Sequence, residues 1–560
     1  MKKKQKNSVM WLLNKSKRQM GLILLLTFLS MLVSVSYIVP ALLSKAIINS
    51  AVNSASSADA KGDIIKYALA LLVFVIATVG VMILNSHLRV VIEGRLEKDM
   101  RHSFFETITK KEYSKLSDMH SGEILNRFTG DIDIVISGIT SFVPEAISIV
   151  AKAVAGFILI LSFSKSYACF ILFVGLFIVL SAFCLKPFYK KVHRRTREAT
   201  GVMRGFAQEC TENMVVVKTF SNSGPLLKKL DSYLQKIYDL QILRNHIGNI
   251  AGGGATLIYR FVYYATLCWG AFMIANKSMD YGTLMAFMQI VSQISSPFFN
   301  ASSLITQLYG AMASAERLAE LEDIPDEIAA FNFDPNSAYE NMTHICTEGL
   351  NFGYNKKSII SNTTFSIKKG DCVAITGLSG TGKSTLFKLM LGLYSPISGK
   401  LFVKTDASPI DLAASTRSLF AYVPQGNLLI SGSLRENITF GNKNLSEEAM
   451  ISAAKTACIY DFITSLPDGF DTKIGEHGLG LSEGQIQRIA VARALCCNAP
   501  ILMLDECTSA LDAQTEEDLL TNIKKLNTKT ILFISHKNAV LSICDTHLHM
   551  KDGHFEIVEQ

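Results

Sequence analysis

Long stretches without a charged side chain restrict the fold of this chain more than any other feature. Met20–Ser44, Tyr67–Leu88 and Ser166–Leu185 contain no Asp, Glu, Lys or Arg, and Tyr281–Ala315 continues in the same way for 35 residues. A helix of ~20 apolar residues crosses a hydrocarbon layer ~30 Å thick, so each run predicts a membrane span. At ~1.5 Å per residue the last of them reaches ~52 Å and is expected to project beyond the bilayer. Ser141–Phe163, with Glu145 and Lys152, and Ile247–Ala275, with Arg260, complete a set of six spans. The first run is too long for the apolar core of a secretory signal, and no small-residue cleavage site follows it.

Lysine and arginine orient the spans. Met1–Gln19, Ser86–Ile139 and Lys186–Ile247 hold 7, 8 and 12 of them, whereas Asn49–Gly62, Ser162–Ser166 and Asn276–Asp280 hold one each. Positive-inside bias therefore predicts that both termini and the long polar loops are cytoplasmic. The formal net charge of +7 follows from that topology, and a nucleic-acid partner is not expected. Ile92–Thr109 and Val192–Lys218 mix charge with periodic apolar positions and lack proline, so spans two to five are expected to continue as helices into the cytoplasm. Val9–Lys17, with Trp11, Leu12 and Leu13 among lysines, predicts an interfacial segment. In the sixth span Gln289, Gln293, Ser296, Asn300, Ser303 and Gln307 recur at steps of four and three, which is one helix face. Such a face should avoid lipid and line a cavity or a polar helix contact. Pro297 predicts a kink in the same helix, and Gly252–Gly254 predicts close packing or a flexible point.

Glu316–Glu340 is acidic, holds Pro325 and Pro335, and loses periodicity, as a linker does. Short β-rich runs then alternate with helical patterns, for example Asp371–Thr376, Ile501–Leu504 and Thr530–Ile534, which predicts one α/β domain at the C-terminal end. The expected organisation is a cytoplasmic segment over 1–19, a six-span all-α domain over 20–318, a linker over 319–341 and the α/β domain over 342–560. Hydrophobic residues make up 49% of the chain and charged residues only 18%, which excludes a disordered chain and is too apolar for a wholly soluble enzyme. The eleven cysteines form no CxxC pair and no His-Cys cluster, so neither a zinc site nor a disulfide framework is expected.

Gly377, Leu378, Ser379, Gly380, Thr381, Gly382, Lys383 and Ser384 fit the phosphate-loop pattern, between a buried strand (Cys372–Thr376) and a helix opening at Thr385. Its glycines let backbone N–H groups close around a phosphate chain, and the helix N-terminus adds favourable partial charge. Lys383 is expected at the β- and γ-phosphate oxygens and Ser384 on Mg²⁺. Ile501–Leu504 is an apolar strand that ends in Asp505 and Glu506. Beside a phosphate loop, Asp505 belongs near the cation and Glu506 can polarise the attacking water. His536, after the strand Thr530–Ser535, is expected to reach the γ-phosphate.

These residues resemble the ABC transporter superfamily. Leu481-Ser-Glu-Gly-Gln485, before Gln487-Arg-Ile-Ala-Val-Ala-Arg-Ala, is similar to the family's signature motif. Ser509-Ala-Leu-Asp512 resembles the loop that follows the second carboxylate motif, and Tyr422-Val-Pro-Gln425 resembles the glutamine loop. Tyr354 stands where the family stacks an aromatic on adenine, and Thr472-Lys-Ile-Gly-Glu476-His-Gly resembles the segment that precedes the signature in exporters. Gly122–Asp131, Glu212–Phe220 and Ala313–Arg317 resemble the intracellular loops and sixth-span exit of exporter-type half-transporters.

The resemblance implies an ATP-driven efflux pump in the cell membrane that uses ATP and Mg²⁺. It implies ATP contacts from Tyr354, the phosphate loop through Thr385, and Gln425, with Ser384, Gln425 and Asp505 near Mg²⁺. Glu506 and His536 would be catalytic. Ser482, Gly484 and Gln485 would contact ATP held by a second half-transporter, in a homodimer or a heterodimer. Short helices near Tyr113–Ser121 and Glu212–Lys218 would carry motion to the spans. Arg260, Gln289, Gln293 and Asn300 are the candidate substrate path for a small amphipathic molecule, lipid or peptide. For Arg260, pairing with Glu145 or a place at the inner leaflet boundary is the alternative. An importer on the exporter fold, for example of a metal chelate, and an ATP-gated channel share the architecture. Glu483 stands where the family's signature usually has glycine.

Overall fold

The computed structural model describes residues 10–52, 60–220, 223–327, 333–354, 357–426, 429–442, 444–475, 478 and 480–558. For 176–187, 189–190, 251, 255, 294–303 and 305–306 only the backbone is described. The chain divides into two units. One comprises Met1–Ile108 and Ser121–Asp323, the other Thr109–His120 and Ile324–Gln560.

Among its described residues the first unit consists of helices joined by short turns, and each of the six apolar runs lies mainly in helix. The first run is not continuous. A helix over Met20–Val35 ends and another begins at Ile38. Pro40 lacks the N–H that would bond Ser36 O, and that carbonyl instead accepts the Val39 N–H at 3.1 Å. The second run lies within Ala60–Lys110, a helix of 51 residues whose apolar window has nothing buried, as a lipid-facing span requires. The fourth, fifth and sixth lie within Lys165–Glu212, Gly224–Ala275 and Tyr281–Glu322. All outrun the bilayer, since 42 residues or more make ~63 Å of helix. Among the described residues, four helical stretches (Met10–Val52, Ala60–Lys110, Ser121–Phe163 and Gly224–Ala275) are long and apolar enough to cross a membrane.

Local features depart from the simplest reading of the sequence. The last helix runs unbroken through Pro297 and continues to Glu322, into the acidic stretch. Gly252–Gly254 sit in continuous helix, and among the described residues nothing lies within 4 Å of a Cβ built on any of them. Two π-helical turns, Arg127–Asp131 and Gly138–Phe142, interrupt the approach to the third span. At Gly138 a Cβ would fall 2.5 Å from the Ala311 Cβ, so glycine is what lets the last helix come this close. One turn along that helix, Asp131 accepts the Arg317 Nε–H at 2.8 Å and the Ser314 hydroxyl at 2.9 Å. The Arg127 guanidinium reaches the Arg317 carbonyl at 2.5 Å and Glu123 at 2.6 Å. Trp11 and Lys15 both bind Glu322, at 2.8 and 2.7 Å, so the N-terminal segment is tied to the end of the same helix.

The second unit holds a six-stranded sheet in the order His554–Val558, Thr546–Lys551, Cys372–Gly377, Thr530–Ile534, Ile501–Asp505, Phe420–Val423. All neighbours are parallel except the first pair. Its three central strands read as nearly unbroken apolar runs because both faces are covered. A four-stranded antiparallel sheet, Lys357–Lys368, Met342–Tyr354, Ser398–Thr405 and Ile410–Asp411, packs its buried residues into the core on one face. Register does the rest. Ile534 is paired with Ile375 on one side and with Asp505 on the other, and Val423 with Leu504. Gly377, His536, Glu506 and Gln425 therefore leave the sheet at one carboxyl edge, where open α/β sheets bind ligands. The described cysteines are all unbridged thiols.

Candidate nucleotide-binding site

The phosphate loop turns on glycines at positive φ: 135° at Gly377, 77° at Gly380 and 119° at Gly382. Two of them are also sterically fixed, because a Cβ on Gly377 would meet Met550 O at 2.5 Å and one on Gly382 would meet the Ile359 side chain at 2.4 Å. Leu378, Ser379 and Gly380 are exposed at the rim, while Lys383 and Thr385 are buried in the helix Lys383–Met390. The Lys383 ammonium donates to Gly377 O at 2.6 Å and Leu378 O at 2.8 Å, so its charge sits inside the curve of the loop. Burial pulls its pKa below the usual lysine value, opposed by the nearby carboxylates of Glu506 and Asp505.

Those carboxylates differ in setting. Asp505 ends a fully buried strand, and burial raises its pKa, with the Ser384 hydroxyl bond opposing and the Glu506 charge adding to the rise. Its Oδ2 accepts from the Tyr422 hydroxyl at 3.4 Å, while its buried Oδ1 has no hydrogen-bond partner among the described residues. An orphaned carboxylate oxygen beside a serine hydroxyl fits a hard divalent cation, which takes oxygen ligands. Glu506 follows at φ 51°, a strained conformation for a side chain of this size. Its backbone N–H is held by Ile534 O at 3.0 Å, and its Oε2 accepts the Gln425 amide at 2.5 Å. His536 is exposed at the same edge.

Tyr354 is half-buried and set edge-on to Tyr394 at 5.2 Å. Tyr394 in turn meets the Tyr113 ring at 5.8 Å and the Ser117 hydroxyl at 2.9 Å. The short helix Tyr113–Leu116, expected near this position, thus belongs to the same unit as the phosphate loop. Its counterpart is Met214–Thr219.

The signature residues open the helix Glu483–Cys496. Ser482 and Gln485 form a capping box, with Ser482 N–H donating to Gln485 Oε1 at 2.9 Å and Gln485 N–H to Ser482 Oγ at 3.3 Å. Gly484 is buried, and a Cβ there would stand 2.8 Å from Ala510 O. Glu483 is exposed in the first turn. One residue without an assigned role proves central. Gln487 donates to the Ser509 hydroxyl at 2.8 Å and accepts the Ala510 N–H at 3.2 Å, clamping the loop after Glu506 onto the signature helix. Glutamine is common on helix surfaces, and only the packing singles this one out. Glu476 falls outside the described residues.

In the membrane unit Gln289 is half-buried, Gln293 binds Lys152 at 2.8 Å, and Arg260 is exposed. The side chain of Asn300 lies outside the described ones.

Comparisons with known proteins bear on the family and the fold. A family model of the ABC transporter transmembrane region matches residues 23–298, and one described as ABC transporter matches 360–509. The chain is 29% identical over 472 residues to a probable ABC transporter ATP-binding/permease protein of Haemophilus influenzae, covering 81% of this chain and 82% of the relative. It is 26% identical over 515 residues to an ATP-dependent lipid A-core flippase of Syntrophus aciditrophicus, covering 90% and 83%. The solved structure of a bacterial Atm1-family ABC exporter with ATP bound shares the fold, with TM-score 0.78 at 22% identity over 97% of this chain and 95% of that one. With both family models matched in one polypeptide, the chain belongs to the ABC transporter family, as a multi-pass half-transporter whose cytoplasmic ATPase domain binds and hydrolyses ATP to drive transport.

Proposed function

We propose that two copies of this chain form an exporter that hydrolyses MgATP to move an amphipathic molecule out of the cytoplasm. The observation that carries the reading is the cluster Lys383, Ser384, Asp505, Glu506 and Gln425 at one sheet edge. Ser384, Asp505 and Gln425 would hold Mg²⁺, which when bound neutralises phosphate charge. Lys383 exchanges loop carbonyls for phosphate oxygens. Glu506, oriented by Gln425, takes a proton from the attacking water, and His536 contacts the γ-phosphate. Ser482 and the amides opening the following helix supply the second anion site, for ATP held by the other copy. ATP binds the closed dimer better than the open one and so biases a two-state equilibrium. Export fits relatives named as a lipid A-core flippase and as a lactococcin-A transport/processing protein.

The test is transport into inside-out vesicles carrying either the native chain or Glu506→Gln. ATP-dependent accumulation that the variant abolishes is expected. Accumulation unaffected by Glu506→Gln would remove the assigned base, and flux only in the opposite direction would make the protein an importer.

A further inference from the structure

Lys152 stands within the third span, in the helix Val143–Phe163. Eleven residues separate it from the outer end, which puts it ~16 Å down the helix axis, near the bilayer midplane. Gln293 lies twelve residues from Tyr281, at a matching ~18 Å. The two meet: the Lys152 ammonium donates to Gln293 Oε1 at 2.8 Å. The same ammonium lies 5.2 Å from the centre of the Tyr37 ring, and the Tyr37 hydroxyl donates to Lys152 O at 3.1 Å. Tyr37 sits in the break of the first span, where Pro40 interrupts the helix. A cation at bilayer depth is thus held by an amide from the last helix and a ring face from the break in the first span.

The orientation of Lys152 is readable from its own helix. Ile147, Val150, Val154, Ile158 and Leu161 are 43–62% exposed. At ~100° per residue they fall on one stripe, and Lys152 lies ~160° from its centre. The apolar stripe is the face suited to lipid, and the lysine points away from it. Arg260, the cation singled out from sequence, is placed differently. It flanks the exposed residues Leu257, Phe261 and Tyr264, and lies ~22 Å from the outer end of its helix, towards the inner boundary.

We infer that Lys152, Gln293 and Tyr37 form a binding site for the anionic group, carboxylate or phosphate, of an amphiphilic ligand whose apolar part remains in the membrane. An ammonium at hydrocarbon depth attracts an anion strongly at low dielectric, the Gln293 amide and the Tyr37 ring carry no charge that would cancel its own, and intramembrane ionisable side chains mark functional sites. The inference rests on the transport reading and adds the ligand class.

The test uses the full chain in phosphatidylcholine nanodiscs, with a dansyl-labelled undecanoic acid and its methyl ester as probes, each corrected for bilayer partition by excess unlabelled probe. The native protein should bind the acid at least tenfold more tightly than the ester. Lys152→Gln should erase that preference and Lys152→Arg retain it. Displacement of the probe by phosphatidylglycerol would identify a lipid headgroup as the ligand source, and displacement by free carboxylates alone a soluble amphiphile; both uphold the site. Equal binding of acid and ester by the native protein overturns it, as does an undiminished preference in Lys152→Gln. ATP photolabelling reports whether each variant has folded. Should Lys152→Gln fail there, Gln293→Leu decides, with at least a threefold drop in acid preference expected and an unchanged preference overturning the inference. Loss of ATP hydrolysis by the native protein with acid binding intact would strike the transport reading and leave the site standing.

Discussion

Asp505 carries a charge in a place that disfavours charge. Burial is the largest influence on it and raises its pKa. A carboxylate whose folded-state pKa lies above its unfolded value of ~3.9 destabilises the fold at pH above the raised value, and that penalty fades as pH falls towards ~3.9. Asp505→Asn should therefore raise the melting temperature of the nucleotide-free protein at pH 7.5. The gain over the native chain should shrink steadily on acidification. A difference that grows as pH falls would contradict the assignment. The same variant should weaken MgATP binding, because the orphaned Oδ1 is the atom a cation would use. Glu506→Gln acts otherwise. Loss of a general base costs ~10²–10⁴-fold in rate, so steady-state ATPase should fall by at least ~100-fold while photolabelling by ATP persists. Retained turnover would show that another group takes the proton. Much of this site was legible in sequence because each of its residues sits at a fixed offset from a strand end or a glycine turn. Tyr394 and Gln487 were not legible. Their importance comes from what lies across from them in space, and a tyrosine after a helix or a glutamine within one carries no local mark.

At the scale of elements, the signature helix and the loop Ser509–Asp512 behave as one piece. Gly484 has no room for a side chain against Ala510 O, and Gln487 grips the same loop from the next turn. Overpacking of this kind costs ~1–3 kcal/mol. Gly484→Ala should therefore lower stability and displace the loop, whereas Gln487→Ala should release the loop at smaller cost. Hydrogen exchange over Ser509–Asp512 separates the two: increased exchange in both is expected, with a lowered melting temperature chiefly in Gly484→Ala. Glu483 tests the other side of the helix start. A carboxylate at a helix N-terminus is favourable for the helix but competes for the partial charge that would draw a phosphate. Glu483→Gly should raise apparent ATP affinity in steady-state hydrolysis, and an unchanged value would mean the carboxylate points away. The spans show where sequence patterning reaches its limit. Runs poor in charge marked the approximate place of the expected spans, since hydrocarbon tolerates little else. The break at Ser36–Tyr37 and the two π-helical turns depend on one proline and on packing against the last helix, which charge and periodicity do not register.

For the whole molecule the decisive matter is that each chain carries one phosphate loop and one signature helix. On the proposed reading, a lone copy would bind ATP through Lys383 but would lack a second anion site for it, so tight closure would require a second chain. Ligand that binds only the closed state stabilises it by RT ln(1 + [L]/Kd), which is ~2.7 kcal/mol at a hundredfold excess over Kd. If Glu506 is the base, the Glu506→Gln variant should not consume bound ATP, and the closed pair should accumulate. Single cysteines at exposed Ser482 and exposed Ser379 would fall on opposite faces of each bound nucleotide, so a mixture of the two variants in a Glu506→Gln background should cross-link between chains with a short bifunctional maleimide. The yield should rise with MgATP, stay low with ADP, and be lost when Lys383→Ala is introduced into the chain that carries the Ser379 cysteine. Cross-linking that is indifferent to nucleotide would mean that the two chains meet through some other surface. A yield that appears only when a different half-transporter is co-expressed would make the functional unit a heterodimer, in which Glu483 lowers the affinity of the one site it faces and leaves the other site to carry hydrolysis.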